Sequence, residues 1–449
     1  MSDEAVPAAV TRPQLRECPA CGQFQIVPAL AADMRSNCVR CGTLLRATRA
    51  DPIGRHLALT FAALVLFAVV WLGMLMKVSA AGIVHETTLD SGPLELVDRG
   101  LWPLALAVSF TTLLASATKF LGTIYVLGGL RLRRLPPNLR GVFRVARKVG
   151  TWSMLEVLLL GVFVAYTKLG DLVTIELGPA VYALGVLTVV IVWAEVALDP
   201  QAVWDEIERR GQTHAAMPIA RLYDYRPGAA GCETCGLVCM PAETGGRCPR
   251  CGTSVHERKP DSLNRTLALV IAAAVLYIPA NVYPVLTVIQ LGSGLPSTIL
   301  GGVEELLASG LYPLAALVFF ASILVPLFKL LGLCLMLWTA HPAARRPSGS
   351  RYLSRRTFLY HIVAWIGRWS MVDIFMESLL GALVQFGRLV TIDPGIGAVA
   401  FCAVVFITIF AAESFDPRLM WDAAGRNPYR LPQAGPAPGP RSPLPRFAS

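Results

Sequence analysis

Eight of the eleven cysteines form two groups of four, each built from two Cys-x-x-Cys pairs. The groups are Cys18, Cys21, Cys38 and Cys41, and then Cys232, Cys235, Cys248 and Cys251. Two such pairs can hold one metal ion in a tetrahedron of thiolates, and these spacings are typical of zinc ribbons. Because four thiolates leave no position for a substrate, the sequence predicts two structural zinc ions. Iron in a rubredoxin-like site is the alternative, since the ligands alone do not separate the two metals.

The residues around these cysteines favour metal binding over disulfide bonding. A glycine follows the second cysteine of every pair, which is typical of a tight knuckle, and a reducing cytosol disfavours disulfides. The glycines are Gly22, Gly42, Gly236 and Gly252. Cys239 is either a reactive thiol or a small packed residue, and Cys334 and Cys402 lie in apolar segments as core residues.

The sequence also repeats itself at a constant offset. Cys38 and Lys119 recur 210 residues later as Cys248 and Lys329. After a seven-residue insertion near residues 351–356 the offset becomes 217, which pairs Trp152 with Trp369. A constant offset over so long a stretch indicates an internal duplication.

The composition is that of a membrane protein. Hydrophobic residues make up 54% of the chain and charged residues 16%, with a mean hydropathy of +0.55. Each half has four apolar runs near the roughly 20 residues that cross a bilayer. The runs are residues 57–78, 101–130, 150–165 and 179–198, and then 267–289, 311–340, 362–384 and 396–412. The sequence thus predicts an all-α polytopic membrane protein of two tandem four-helix modules, each preceded by a small cytoplasmic zinc ribbon.

These runs and the cysteines divide the chain into five parts. We expect zinc ribbons at residues 1–50 and 206–260, transmembrane modules at 51–205 and 261–425, and a disordered, proline-rich cytoplasmic tail at 426–449. The first 50 residues lack the apolar stretch of a cleavable signal peptide.

Lysine and arginine residues are concentrated in the loops on one side of the membrane that the predicted spans cross. Clusters at residues 131–148 and 345–356 follow the second span of each half, whereas the opposite loops are acidic or nearly neutral. The positive-inside rule then places both termini in the cytoplasm. Because the basic residues lie next to membrane ends, the net charge of +10 indicates membrane topology and anionic lipid, and no nucleic-acid partner.

Ionisable residues inside the predicted spans are candidates for function. Lys119 and Lys329 lie within the second span of each half, and Glu156 and Asp373 lie in the third. An intramembrane charge is costly unless it is paired or hydrated, so Lys119–Glu156 and Lys329–Asp373 pairs are expected. Two roles are compatible with such pairs. They are either static ion pairs that hold the helix bundle together, or groups that handle a substrate or protons. Lys119 could instead extend its ammonium to the membrane surface.

Prolines distinguish the second half from the first. Pro279, Asn281 and Pro284 are expected to interrupt the fifth span, and Pro326 to kink the sixth. Broken backbone at membrane depth lines a cavity or is buried in protein. A transport cavity in the second half is therefore predicted, with Ser322, Lys329, Ser370, Asp373 and Thr391 in its wall.

The chain resembles the paraquat-inducible protein A (PqiA/LetA) family over nearly its whole length. The resemblance rests on tandem ribbons, on Gly-Arg-Trp-Ser-Met-Val-Asp at residues 367–373, and on Ser-Phe-Asp-Pro-Arg-Leu-Met-Trp-Asp at 414–422. At residues 150–156 the first half lacks the arginine and has Glu156 for the aspartate. The resemblance implies a tetraspanin-like fold for each module, a location in the bacterial inner membrane and an MCE-domain partner in the periplasm.

By that resemblance the chain passes phospholipid between the inner membrane and the partner's tunnel. No phosphate-binding loop and no kinase or hydrolase motif occurs in the sequence, which argues against an enzyme and against ATP-driven transport. A redox- or metal-responsive stress protein and a passive anchor for the MCE partner are the alternatives.

Overall fold

The computed structural model describes residues 14–80, 83–169, 174–210, 228–290, 293–341, 350–367, 371–383 and 390–425. Within these residues the chain is mostly helical. The order of elements in residues 54–209, called the first half here, is repeated in residues 262–423, the second half. The predicted helical class is confirmed, although it omits several small sheets.

The helices of the two halves correspond one to one in chain order. Those of the first half are α1 (Gly54–Leu72), α2 (Ser91–Asp98), α3 (Trp102–Ser109), α4 (Ala115–Gly129), α5 (Leu139–Gly150), α6 (Leu155–Leu169), α7 (Pro179–Ala197) and α8 (Pro200–Arg209). Those of the second are α9 (Ser262–Val282), α10 (Ile299–Ala308), α11 (Tyr312–Phe319), α12 (Val325–Ala340), α13 (Ser350–Ile366), α14 (Val372–Leu383), α15 (Ile396–Ser414) and α16 (Arg418–Ala423).

Seven helical segments of the described residues are long and apolar enough to cross a membrane. They are Gly54–Leu72, Trp102–Gly129, Leu139–Thr167, Pro179–Ala197, Ser262–Val282, Ala315–Ala340 and Ile396–Ser414. The remaining predicted span, residues 362–384, covers the end of α13 and all of α14. Residues 368–370 and 384 of that span lie outside the described residues.

Two predicted spans extend too far, because their last residues form strands. α1 ends at Leu72, and β5 (Met76–Ala80) follows. Met76 and Val78 are buried while Lys77 between them is half-buried, which is the two-residue alternation of a strand. β10 (Leu286–Gln290) follows α9 in the same way. Hydropathy alone predicted helix here because strand residues that pack on a protein core are as apolar as membrane-facing ones.

Each half carries a three-stranded antiparallel sheet. β5 lies between β6 (Ile83–Thr87) and β7 (Thr174–Leu177), and β10 lies between β11 (Ser293–Ser297) and β12 (Val390–Pro394). The cysteine segments precede α1 and α9, whereas the sheets follow them. α1 has 19 residues, so its two ends are about 28 Å apart at 1.5 Å per residue. The cysteine segment before α1 and the sheet after it are therefore connected to opposite ends of this helix.

The predicted helix break at Pro279 is not observed. Pro279 lies inside α9, and the helix continues to Val282, where the Tyr283 amide donates to the Pro279 carbonyl at 3.0 Å. The side-chain amide of Asn281 donates to the Tyr277 carbonyl, and Pro284 lies beyond the helix end. α1 ends at the position 210 residues earlier without prolines, so the duplicated packing fixes the end of the helix.

The kink expected at Pro326 stays a prediction, but an irregular helical turn lies just before this position and at the matching place in the first half. Five-residue π-helical segments, Phe110–Leu114 and Phe320–Leu324, lie at the same position of the repeat. Only the second is followed by a proline; Ser116 stands at the equivalent place and bonds the Ser153 hydroxyl at 2.8 Å. The proline is therefore not the cause of the irregular turn. Such π segments are frequent at functional sites.

Short hairpins form the two cysteine segments. The first cysteine segment, residues 14–48, contains β1 (Gln14–Glu17) with β2 (Phe24–Val27), and β3 (Arg35–Asn37) with β4 (Leu44–Ala47). The second cysteine segment, residues 228–258, contains β8 (Ala230–Gly231) and β9 (Val238–Cys239).

The two halves share one apolar core. Phe67 and Leu158 of the first half belong to the same buried cluster as Phe375 and Phe401 of the second. α6 packs against α14, where a Cβ at Gly161 would lie 3.1 Å from the Phe375 Cβ. This close approach of the two helices joins the halves into a single unit.

Candidate functional site

Each group of four cysteines is assembled as a compact cluster. The four sulfur atoms of a group all lie within 4.8 Å of one another, and all but that of Cys41 belong to buried residues. The cross-pair Sγ–Sγ distances are 3.5 Å for Cys18–Cys41, 3.6 Å for Cys21–Cys38, 3.4 Å for Cys232–Cys251 and 3.5 Å for Cys235–Cys248.

These distances fit a metal ion and do not fit disulfides. Zinc–sulfur bonds of about 2.3 Å in a tetrahedron separate neighbouring sulfurs by about 3.8 Å, whereas a disulfide joins them at about 2.05 Å. Both clusters can therefore hold a zinc or iron ion through four thiolates. The second cluster also has Cys239 nearby, a buried residue in the same core.

The knuckle geometry explains the four glycines. Each adopts a left-handed backbone, with φ between 67° and 78°, and each amide donates to the carbonyl of the first cysteine of its pair. The donor–acceptor distances are 2.8 Å for Gly22, 2.9 Å for Gly42, 2.7 Å for Gly236 and 2.8 Å for Gly252. A side chain would be strained at these positions.

The second cysteine segment packs on the first half. Its cysteines share a buried core with Phe143 of α5 and Trp204 of α8. Arg250 pairs with Asp205 at 2.9 Å and with Glu208 at 2.5 Å, both on α8. Although this segment leads directly into α9 of the second half, much of its packing is therefore against the first.

The first cysteine segment packs on the second half in turn. Cys18, Cys21 and Cys38 share a buried cluster with Leu353 of α13 and Trp421 of α16. The Arg40 guanidinium lies 4.5 Å from the centre of the Trp421 ring. The buried cores of the two cysteine segments are thus crossed over the two halves, an arrangement that sequence order did not predict. α8 and α16 each contact both segments, since Arg46 also pairs with Asp205 of α8 at 3.1 Å and Arg258 with Asp422 of α16 at 2.8 Å.

A buried ionic network connects the crossed parts. Glu17 accepts from Arg418 of α16 at 3.0 Å, and also from the Gly231 amide of the second cysteine segment at 2.6 Å. Arg418 forms a further ion pair of 2.9 Å with Asp416. The Glu17, Arg418 and Asp416 side chains are each 5% exposed or less. Removal of one member would leave buried charge without compensation.

The pKa values in this network differ in direction. Burial raises the pKa of Glu17 above 4.5, and the charge of Arg418 opposes that rise only in part. Burial alone would also raise the pKa of Asp416, but the hydrogen bonds and charge of Arg418 hold it below 3.8. Asp199, which occupies the position of Asp416 in the first half, has its pKa raised by burial, with Arg46 opposing.

A cavity of about 600 Å³ lies between the two halves. Its wall combines apolar side chains, such as Phe120 and Ile409, with ionisable ones from both halves. The ionisable residues are His56, Lys119, Arg147, Glu156, Glu195, Lys329, Tyr360 and Glu413. Trp152 lines it too, stacked on Phe406 across the boundary at 5.9 Å with an interplanar angle of 9°.

Lys119 does not form the predicted pair with Glu156. Its ammonium contacts the Glu195 carboxylate of α7 at 2.5 Å, while Glu156 lines the cavity separately. Helices α4 and α7 both pack against α1, which brings these side chains together. Glu195 is a single acid in an apolar run, a signal that the sequence contained; its repeat counterpart is Ala412.

Lys329 is buried at 1% exposure and donates to the Thr408 hydroxyl of α15 at 2.6 Å. Thr408 was missed because a threonine in an apolar helix is common. The predicted partner Asp373 lies at the start of α14, and its side chain is outside the described part of the structure, as is all of Ser370. Thr391 belongs to β12, opposite Ile289, and its side chain is also not described.

Ser322 faces a different cavity from Lys329. This second space, of about 40 Å³, is lined by Ser297, Thr298 and apolar residues near β10. Within the described residues, the buried Ser322 hydroxyl has no hydrogen-bond partner. The volume is sufficient for a water molecule, which would satisfy that hydroxyl.

Comparisons with known proteins find one family model and several relatives that cover most of the chain. Residues 53–208 and 263–425 match the family model described as paraquat-inducible protein A. Intermembrane transport protein PqiA of Escherichia coli (strain K12) is 34% identical over 413 residues, which cover 90% of this chain and 95% of that protein. Lipophilic envelope-spanning tunnel protein A of the same organism is 28% identical over 419 residues, 93% of this chain and 94% of that one. No solved structure matches the chain.

Proposed function

This chain belongs to the paraquat-inducible protein A family, and on that premise we propose that it is a component of an intermembrane lipid transport system. It passes phospholipid between the bacterial inner membrane and a tunnel formed by a periplasmic MCE-domain protein. The names of two relatives support this role, since one is an intermembrane transport protein and the other an envelope-spanning tunnel protein.

The architecture that we propose for this task has two tandem four-helix modules, residues 51–205 and 261–425. A zinc ribbon precedes each module, at residues 1–50 and 206–260, and a proline-rich tail follows at 426–449. The repeated element order and seven membrane-length helical segments support this division. The clusters of lysine and arginine next to the spans support cytoplasmic ribbons and termini.

The zinc ions in this proposal are structural. Four thiolates fill the coordination shell of each ion, and each loaded ribbon supports the half on which it packs. The crossed packing favours this role, because two folded ribbons link both halves at one end of the molecule.

The observation that carries the proposal is the cavity between the halves. Its apolar wall suits an acyl chain, and its lysines suit an anionic headgroup. Lys119 already has a carboxylate partner in Glu195, whereas Lys329 is bonded to the neutral hydroxyl of Thr408. We therefore assign the headgroup contact to Lys329.

Asp373 compensates the charge of Lys329 when the cavity is empty. A Cβ at Gly367, six residues before Asp373, would lie 3.8 Å from the Lys329 Nζ, which supports this assignment. Ser370 and Thr391 also belong to the polar wall in this proposal, whereas Ser322 lines the separate space near β10. Protonation of Asp373 would couple lipid movement to the proton gradient, because it removes the charge that competes with the headgroup.

The test is purification of the full chain in polymer-bounded native bilayer discs, followed by mass spectrometry of its lipids and proteins. We expect a phospholipid enriched over the bulk membrane, together with an MCE-domain protein. The partner without enriched lipid would support a passive anchor instead. Neither lipid nor partner, with release of zinc on mild oxidation, would favour the redox- or metal-responsive alternative.

A further inference from the structure

A basic cleft lies between α5 and the second cysteine segment. It has a volume of about 400 Å³, and its three charged side chains are Arg144 and Lys148 of α5 and Arg247. Among the described residues, no acidic side chain lines it. The positive-inside rule accounts for basic residues near a membrane, but it does not require that those from two separate segments converge on one cleft.

Arg144 is held at the base of this cleft. Its Nη1 donates to the Cys251 carbonyl at 3.1 Å, and Gly252 lies beside it in a left-handed backbone. A Cβ at Gly252 would lie 3.3 Å from that nitrogen. A guanidinium has five N–H donors, so this bond leaves others for a ligand. Lys148 follows Arg144 by four residues and lies on the same face of α5.

Hydroxyl groups complete the polar wall of the cleft. Thr253 donates to Thr234 at 3.3 Å, and Ser254 is exposed beside them. Three cations with adjacent hydroxyl donors are the groups that bind phosphate oxygens. The chemistry of the cleft is therefore that of an anion site, and phosphate is the anion that it suits.

The remaining wall is apolar. Val145 is 47% exposed and lies between the cations on α5, and Val149 is one turn further along. A short turn at residues 151–154 separates α5 from α6, and both lie within the membrane-length segment Leu139–Thr167, so this wall adjoins the bilayer. A free phosphate would gain nothing from exposed valines, whereas a phospholipid places its glycerol and acyl groups beside its phosphate.

We propose that the cleft formed by Arg144, Lys148 and Arg247 binds the headgroup of an anionic phospholipid from the leaflet next to the cysteine segments. This site is separate from the cavity between the halves. α5 lies between the two, since Ala146, Arg147, Gly150 and Thr151 of the same stretch line the cavity. A lipid in the cleft is thus one helix away from the transport cavity.

Photochemical crosslinking tests the site without any transfer reaction, so its outcome is independent of the proposed transport function. The full chain is placed in phosphatidylcholine nanodiscs that contain a photoreactive phosphatidylglycerol, and the crosslinked peptides are identified by mass spectrometry. We expect crosslinks in residues 139–150 and 247–254. Lys148→Gln with Arg247→Gln should lower their yield about 30-fold, as expected for the loss of two cation contacts at a membrane surface.

The matched control is Arg133→Gln with Arg134→Gln, which removes the same charge from exposed residues outside the cleft. It should leave the yield unchanged. Both variants should still bind two zinc ions per chain. If the double variant loses metal, the single variant Lys148→Gln replaces it in the test, because Lys148 is at an exposed position of α5. Arg144 is kept because it docks the second cysteine segment.

Three results would overturn the proposal. The first is equal crosslinking by photoreactive phosphatidylcholine, which would show that the headgroup charge is irrelevant. The second is displacement of the lipid by inorganic phosphate, which would assign the cleft to a free anion. The third is an equal loss of crosslinks in the variant and in its control.

Discussion

The Lys329 ammonium donates a hydrogen bond of 2.6 Å to the Thr408 hydroxyl, and both side chains are buried. Thr408 donates onward to the Val405 carbonyl at 2.9 Å, so its oxygen is oriented to accept from the lysine. The duplicated Lys119 instead contacts a carboxylate, that of Glu195. The two copies thus keep the lysine but differ in its partner, and a lysine bound to a neutral group retains attraction for an anion.

Replacement of Lys329 should impair transport more than replacement of Lys119. Lys329→Ala removes a charge-assisted contact, which corresponds to a loss of about tenfold to a hundredfold in lipid transfer. Transfer is measured with a fluorescent phospholipid between the reconstituted chain and its MCE partner. Membrane insertion, followed by carbonate extraction, should not change.

Thr408→Ser is the conservative control for this lysine, because it keeps the hydroxyl and should keep transfer. Thr408→Val removes the acceptor and should lower transfer with Lys329 intact. Unchanged transfer in Lys329→Ala would exclude the headgroup contact and favour a passive anchor.

The Lys119–Glu195 pair should contribute little to stability. Glu195 lies two residues before the end of its membrane-length segment, where the span meets water, and its side chain is 59% exposed. Exposed pairs at such a position typically contribute less than about 1 kcal/mol. Glu195→Gln should therefore shift the thermal unfolding midpoint only slightly. The charge swap Lys119→Glu with Glu195→Lys should restore the midpoint, and a large loss in Glu195→Gln that the swap does not restore would contradict the assignment of the pair.

The crossed packing predicts that loss of metal from one cysteine segment loosens helices of the half on which that segment packs, and not those of the half with which it is paired in sequence. Cys248→Ser with Cys251→Ser should release one zinc ion, because two thiolates cannot complete the shell. Hydrogen exchange should then rise in α5 and α8 of the first half, which contact that segment. α13, which packs on the first cysteine segment, should stay protected.

Cys38→Ser with Cys41→Ser is the mirror-image control. Exchange should rise in α13 and α16, which contact the first cysteine segment, while α5 stays protected. If both variants loosen only the half that follows in sequence, the crossed arrangement is wrong. A folded chain with unchanged exchange but an altered response to oxidant would favour the sensing alternative.

The duplicated aspartates should respond to pH in opposite directions. The pKa of Asp416 lies below its ordinary 3.8, so its contribution to stability is present above that value and is lost as pH falls through the folded pKa. The pKa of Asp199 is raised, so its contribution is full below 3.8 and is lost as pH rises through the folded pKa.

The measurement compares the free energy of unfolding of the wild type with those of Asp199→Asn and Asp416→Asn as pH rises from 3.8. The advantage of the wild type over Asp416→Asn should rise to a constant value, because the folded Asp416 is already ionised while the unfolded one loses its proton. The advantage of the wild type over Asp199→Asn should fall as pH rises, because the folded Asp199 holds its proton longer than the unfolded one. Equal slopes for both variants would contradict the opposite directions of the two pKa shifts.

Several features could be predicted from the sequence because they depend on neighbouring residues. Two Cys-x-x-Cys pairs with a glycine after each second cysteine require a knuckle, whatever the rest of the chain does. Apolar runs of membrane length predict helices, and the constant offset predicts that the second half repeats the first. The helix ends were predicted less well, since β5 and β10 are apolar strands that hydropathy cannot distinguish from a membrane span.

Contacts between distant segments required the tertiary structure. Sequence order suggests that a cysteine segment packs on the helices that follow it, but Glu17 and Arg418 are 401 residues apart and form a buried ion pair. The expected partner of Lys119 was Glu156 in the adjoining helix, and the observed one is Glu195, because α4 and α7 both pack on α1. Local patterns specify elements and metal ligands through short-range geometry. Partners across the core depend on which helices pack together, and that is determined by the whole fold.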